Sequence, residues 1–284
     1  MKPRIMQKTI RKILKLPLTL PLRMPFLRRR AAFHFVHDYF SDLEISLPLS
    51  HDFWCPIPTR DAVHSFSEIF VTNEYGSFLD RIPLPCRWLD LGAHTGYFTL
   101  YLAWQHAVRR SGKDWRALLI DADPRMEPLC KRTLEQNHLL GRCEFRTGLI
   151  AGGDGEKEFA LREGMGSSAD LASDGVQTVE CIRVLRPAEI LEALPPPYDL
   201  VKIDIEGAEI DFLEAYKEVC SHASSILLEW HSPDKEGTRA ETLDRLLDAV
   251  GFRKDADLRP MRVLQLGGGW LSCGVQLYRR NGAE

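Results

Sequence analysis

Residues 88–97 read Trp-Leu-Asp-Leu-Gly-Ala-His-Thr-Gly-Tyr, and this stretch decides the fold. A short apolar run carries an acidic residue, Asp90, at its end, and glycines follow at positions 92 and 96. Gly92 lets the backbone turn tightly without a Cβ, and Gly96 allows close approach where a helix begins. The spacing is D-x-G-x-x-x-G. It is not the G-x-G-x-x-G of a dinucleotide turn, and the Lys-Ser/Thr of a P-loop is missing. A strand-terminal carboxylate suits a cationic, hydroxyl-rich ligand better than a pyrophosphate. S-adenosylmethionine, with its cationic amino-acid end and its ribose hydroxyls, is such a ligand. His94 lies inside the loop, where it can touch cofactor or substrate. The competing reading is a generic glycine turn.

Outward from this loop, short apolar runs alternate with helical ones. RWLDL is followed by YFTLYLAWQHAV, RALLI by PRMEPLCKRTLEQN, YDLVKID by AEIDFLEAYKEV, and SSILLEW by TRAETLDRLLDAV. That alternation predicts an α/β fold with a mostly parallel sheet flanked by helices. RVLQL and CGVQLYRR, separated by Gly267, Gly268 and Gly269, predict an antiparallel hairpin at the C-terminus. Residues 151–184 interrupt the alternation and predict an inserted hairpin or loop. SEIFVTNEY, within residues 67–75, predicts a strand, and residues 31–43 a helix.

The second strand supplies a companion to the glycine loop. ALLI ends in Asp121, a position from which a carboxylate accepts hydrogen bonds from ribose 2′- and 3′-hydroxyls. Asp123, just before Pro124, is the expected helix cap.

The segment 200–209, LVKIDIEGAE, breaks the rule that a central parallel strand is continuously apolar. Lys202, Asp204 and Glu206 fall on one side of an extended chain, and Glu209 sits in the first turn of the next helix, where its dipole favours a carboxylate. Buried charges must pair or face a ligand. The next strand ends in Glu229 and His231, again on one side. Both clusters lie at the carboxyl ends of neighbouring strands, where open α/β sheets bind ligands. His231 or Asp204 is the expected base for a hydroxyl, with Glu206 and Glu229 holding substrate hydroxyls and Lys202 paired among them. A structural Lys202–Asp204 pair with helix capping is the alternative. The other histidines are scattered and predict no metal set.

Composition frames these sites. The 284 residues are 44% hydrophobic and 27% charged, an ordinary globular balance. Residues 1–30 hold ten Lys/Arg and no acidic residue, which leaves 27 basic against 40 acidic residues in the rest. A body of net charge −13 repels phosphates, so no nucleic-acid partner is expected. The leader, broken by Pro17, Pro21 and Pro25, makes a poor signal peptide. Its Ile10, Ile13, Leu14 and Leu16 can form one face of a short helix on an anionic membrane surface; a plain basic tail is the other reading. Seven single cysteines without a C-x-x-C pair predict free thiols and a cytoplasmic protein, with the leader as a peripheral contact to the inner membrane surface. The expected organisation is a basic leader and helical lead-in over 1–44 and one domain over 45–284.

WLDLGAHTGYFTL, IDADP followed by LEQN, LIAGGDGEKEF, DLVKIDIEGAEIDFL and ILLEWH occur in this order across residues 67–232. The set resembles the FkbM family of S-adenosylmethionine-dependent methyltransferases, with KIDIEGAE its most specific part. The resemblance implies a Rossmann-like class I methyltransferase fold and methyl transfer to a hydroxyl of a sugar, glycolipid or secondary metabolite. Asp90, Gly92 and Gly96 match the family's cofactor loop, and Asp121 stands where the family usually has Glu for the ribose. Lys202, Asp204, Glu206 and Gly207 match its second signature. His94 replaces the usual Asn. Two rivals are a nucleotide-sugar oxidoreductase, disfavoured by the missing G-x-G-x-x-G, and a membrane-associated adapter that kept the fold without turnover.

Overall fold

A computed structural model of the chain describes residues 45–162, 176–266 and 269–282. It falls into two compact units, divided after Asn73. The basic leader and the expected helix over 31–43 lie outside the described residues.

In the first unit, β1 (Ile45–Pro48) pairs antiparallel with β2 (Trp54–Ile57). Helix α1 (Arg60–Phe66) starts at Thr59, whose hydroxyl accepts from the Ala62 amide at 3.2 Å. The predicted strand at SEIFV is instead a π-helical turn, Ser67–Val71, continuing α1. Phe66 and Phe70, four residues apart, pack with ring centroids 5.5 Å apart and planes tilted by 34°. An i,i+4 aromatic pair extends a helix already nucleated upstream, which outweighs the strand propensity of three apolar residues.

The second unit is built on a seven-stranded sheet. Its elements in chain order are β3 (Arg87–Leu91), α2 (Tyr97–Val108), β4 (Arg116–Asp121), α3 (Met126–Gln136) and β5 (Cys143–Thr147). A hairpin of β6 (Glu156–Arg162) and β7 (Val176–Arg183) follows, as its own two-stranded sheet. Then come α4 (Pro187–Ala193), β8 (Tyr198–Ile203), α5 (Glu209–Ala215), α6 (Lys217–Ser221), β9 (Ala223–Ser232), α7 (Thr238–Ala249), β10 (Phe252–Leu266) and β11 (Gly269–Arg280). The strand order is β10-β11-β9-β8-β3-β4-β5. β5, β4, β3, β8 and β9 are parallel; β11 and β10 join antiparallel, as the C-terminal sequence predicts.

Strand alternation sorts the sheet's two faces. Leu89, Leu91, Val201, Ile203, Ile226, Leu228 and Trp230 join one buried cluster with Phe212, Leu213, Val219, Leu243 and Leu247 of α5–α7. The intervening residues Asp90, Lys202, Glu229 and His231 therefore share the opposite face. The chain reverses its direction of winding between β3 and β8, and an open α/β sheet has its ligand crevice beyond the carboxyl ends of such a pair. The chemistry-bearing residues singled out above lie near the carboxyl ends of β3, β4, β8 and β9 or just past them. All seven cysteines are free thiols, and among the described residues no helix is long and apolar enough to cross a membrane.

Candidate active site

The glycine loop is held mainly by backbone. The amides of Gly92 and Ala93 both donate to the Ile120 carbonyl, at 2.9 and 3.0 Å. Gly92 has φ +76°, and a Cβ there would lie 1.6 Å from the Asp204 carbonyl oxygen. The loop thus touches the KIDIEGAE segment directly, and only glycine permits that approach. His94 also takes a left-handed conformation, φ +48°. This aims its amide at the Asp121 carboxylate, 2.7 Å away, while the other Asp121 oxygen accepts from the Asp123 amide at 2.9 Å.

Asp121 is therefore clamped by two N–H groups, and a carboxylate so placed keeps lone pairs for two hydroxyls. Burial pushes its pKa up to about 6, against the two amide bonds that favour the ionised form. This donor and acceptor pattern fits a ribose. Asp123 does not cap α3 formally: its carboxylate binds the amide and guanidinium of Arg125, with Oδ1 taking the amide at 2.9 Å, and the helix begins one residue later.

Asp90 is fully buried beneath the glycine loop. Oδ2 accepts from Thr99 Oγ1 at 2.9 Å, and Oδ1 lies 3.5 Å from Lys202 Nζ. Burial raises its pKa, opposed by Lys202 and Thr99. Its part in the site is to hold Lys202. That ammonium sits 3.1 Å from Asp204 Oδ2 and 3.3 Å from the Gly92 carbonyl, over the Phe98 ring. Burial works to lower the Lys202 pKa, but Asp204 and Asp90 outweigh it and the pKa rises. Lys202 is a permanent cation joining the cofactor loop to the second signature.

The acidic end of that signature is a turn rather than a continued strand. β8 stops at Ile203, and Glu206 has φ +51°. The three side chains expected on one side by strand alternation converge by this turn instead. His231 lies at the centre of the cluster. Its Nδ1 is 3.0 Å from Glu209 Oε1, and its Nε2 is 3.8 Å from Glu206 and 4.0 Å from Glu229. Burial lowers its pKa, but Glu206, Glu209 and Glu229 drive it well above the usual value. Carboxylates on three sides favour the charged imidazole, which weighs against His231 and toward Asp204 as the base.

The carboxylates themselves diverge. Burial would raise Asp204, yet Lys202 and His231 hold it below the ordinary range. Burial pushes Glu206 up to about 7, and burial together with Asp204 pushes Glu229 up to about 8. Glu229 is gripped by Arg259, which also binds Glu74 at 2.6 Å, and Tyr75 Oη lies 3.5 Å away.

Sequence reasoning missed Arg259, Glu74 and Tyr75, because nothing near them marks a site. Arg259 reaches Glu229 through sheet register: both pair with Val275, on opposite sides of β11. Glu209 was legible as a residue of the helix start but not as the partner of His231. The expectation of no metal set also changes. Asp204, Glu206 and His231 bring one ligand atom each to within 4.8 Å of one another. A set with a single histidine leaves no spacing signature.

A seven-stranded sheet of this order, with a glycine turn after β3 and a ribose-type carboxylate after β4, defines a Rossmann-like class I methyltransferase. The chain belongs to the methyltransferase FkbM domain family, which matches residues 90–254, more than half its length. That family carries a cofactor of the S-adenosylmethionine type, and the chain is a methyltransferase of that kind. Comparison with curated protein sequences finds no match. Similar solved structures include the N-terminal domain of EvdMO1 with SAH bound, 13% identical over 74% of this chain and 80% of that one, with a TM-score of 0.44. Precorrin-6y C5,15-methyltransferase from Geobacter metallireducens is 10% identical over 74% and 88%, with a TM-score of 0.42. The ribosomal protein L11 methylase of Lactobacillus delbrueckii is 11% identical over 74% and 78%, with a TM-score of 0.39. Likeness of this degree bears on neither substrate nor partner.

Proposed function

We propose that the protein transfers the methyl group of S-adenosylmethionine to a hydroxyl oxygen of a small molecule or carbohydrate, such as a sugar, glycolipid or secondary metabolite. One observation carries this reading. Lys202 Nζ bridges the Gly92 carbonyl and the Asp204 carboxylate, so an ionised acid is locked to the cofactor loop at hydrogen-bonding distances.

Asp121 would accept the ribose hydroxyls, with the Gly92–Gly96 loop and His94 around the remainder of the cofactor. Asp204, ionised and partly exposed, would accept the hydrogen bond of the acceptor hydroxyl. The oxygen forms a bond to the methyl carbon as the carbon–sulfur bond breaks. The electron pair passes to sulfur, the sulfonium becomes a thioether, and the hydroxyl proton goes to Asp204. Positioning supplies much of the rate in such an in-line displacement. Glu229, fixed by Arg259, and Glu206 would hold neighbouring hydroxyls.

The test is product mass spectrometry on a panel of hydroxylated, amino and thiol acceptors incubated with methyl-labelled S-adenosylmethionine. Label on oxygen supports the reading. Label on nitrogen or sulfur alone overturns it. Cofactor binding with no turnover on any acceptor class would favour the adapter alternative.

A further inference from the structure

We propose that Asp204, Glu206 and His231 form a divalent-cation site, two of whose remaining coordination positions take neighbouring oxygens of the acceptor. The use of the cation rests on the methyl-transfer reading; its binding does not.

The ligand set is the first argument. One imidazole nitrogen and two carboxylate oxygens lie within 4.8 Å of one another. A six-coordinate ion with ligands at about 2.1 Å spaces them by about 3 Å at right angles and just over 4 Å across. Closure therefore needs only a small side-chain rotation, and Glu206, with a third of its side chain exposed, is free to supply it.

The state of His231 is a second, independent argument. The residue is nine-tenths buried, yet its Nε2 has no hydrogen bond, only the contacts at 3.8 and 4.0 Å to Glu206 and Glu229. Its other nitrogen is fixed by Glu209, which is fully buried and anchored by the Gly207 amide at 2.9 Å. A carboxylate on Nδ1 that turns Nε2 toward a group of acids is the arrangement that orients metal-bound histidines.

Charge balance is the third argument. Asp204, Glu206, Glu209 and Glu229 surround this one imidazole. Of the nearby cations, Lys202 is shared with Asp90 and Arg259 with Glu74. A cation there would displace the imidazole proton and offset the carboxylates that Lys202 and Arg259, so shared, leave uncompensated. No thiolate is present, and a single imidazole with two carboxylates suits Mg²⁺ or Mn²⁺.

A hydroxyl bound to such an ion loses its proton more readily, and with Asp204 held by the ion and Lys202 the proton passes to the neighbouring Glu229. Three one-atom protein ligands leave three positions on a six-coordinate ion, and two of these side by side fit an acceptor with adjacent oxygens, a vicinal diol or an α-hydroxy carbonyl.

The experiment uses the full chain, treated with chelator and then freed of it, titrated with Mn²⁺ alone and followed by the electron paramagnetic resonance of free Mn²⁺. One site is expected. Its dissociation constant should rise at least about tenfold in His231→Ala and in Glu206→Gln, and stay unchanged in Glu144→Gln, an exposed control. Because buried variants can misfold, the wild-type complex is also examined by electron–nuclear double resonance. Coupling of Mn²⁺ to an imidazole ¹⁴N supports the site. Absence of that coupling, or a dissociation constant above the millimolar range, overturns it. If methyl transfer proceeds at full rate in excess chelator, the cation proposal falls and methyl transfer stands. If Mn²⁺ binds with nitrogen coupling but S-adenosylmethionine does not bind, the cation site stands and the methyl-transfer reading falls.

Discussion

The two halves of the crevice are built from different materials. The half at the ends of β3 and β4 is backbone: glycines and a left-handed His94 direct amides onto the Ile120 carbonyl and Asp121. The half at the ends of β8 and β9 is charge: Asp204, Glu206, Glu209 and Glu229 lie around Lys202, His231 and Arg259. A backbone cradle tolerates many side chains and tunes little. A charged cluster depends on every partner, and its members shift one another's protonation. The first half suits a cofactor of fixed shape, and the second suits an acceptor and the movement of a proton. Gly92 and Lys202 are where the halves meet.

Changes at that junction should have the largest effects. Gly92→Ala places a Cβ 1.6 Å from the Asp204 carbonyl and strains a φ of +76°. We expect a loss of about 5 kcal/mol or more, enough to prevent folding of a domain of ordinary stability. Gly112→Ala, at φ +64° with nothing within 4 Å, should cost only about 1–2 kcal/mol for the left-handed backbone. Equal losses in thermal scans of the two would break the claim that loop and acidic segment are one packed unit.

Lys202→Met comes next. It strands Asp90 and Asp204 without their cation and should cost about 3–5 kcal/mol by denaturant titration. The double variant with Asp90→Asn should recover part of that loss. No recovery would mean that Lys202 acts through its packing on Phe98 rather than through charge.

The backbone half should give smaller, binding-specific losses. Asp121→Ala should weaken S-adenosylmethionine by about 1–3 kcal/mol in calorimetry. Its pKa near 6 sets a pH dependence with a definite sign. The ionised form accepts the bonds, so affinity should be full above pH 7 and fall as pH drops through about 6, by at most about tenfold per unit. Asp121→Asn should remove that slope. Affinity that instead improves on acidification would show that Asp121 does not face the ribose.

The smallest effect on the crevice should come from the leader. Deleting residues 1–30 should leave cofactor affinity unchanged and, if the leader lies on membranes, release the protein from anionic vesicles in a salt-sensitive way. Equal vesicle binding with and without the leader would mark it as a basic tail.

The sheet and its order of elements were legible because hydrophobic periodicity is a local property. RWLDL, RALLI, YDLVKI and SSILLEW all became strands, and the C-terminal hairpin formed where the glycines separate two apolar runs. SEIFV was misread because its apolar spacing fits strand and helix alike, and the preceding helix settled the matter. Lys202 and Asp204 stood out as charges in a strand that should be apolar. That anomaly pointed to the candidate site, because buried charge demands a partner.

The sequence by itself determined the α/β sheet, the glycine loop and the positions of Asp121, Asp204, Glu229 and His231 at strand ends. Only the tertiary structure decided what those groups are. It withdrew Asp90 into the core behind Lys202, brought Arg259 from an edge strand onto Glu229, and enclosed His231 among carboxylates that raise its pKa. The physical reason is range. Secondary structure follows from neighbours in the chain, whereas a pKa or an ion pair follows from neighbours in space, and those come from strands far apart in sequence and joined only by register.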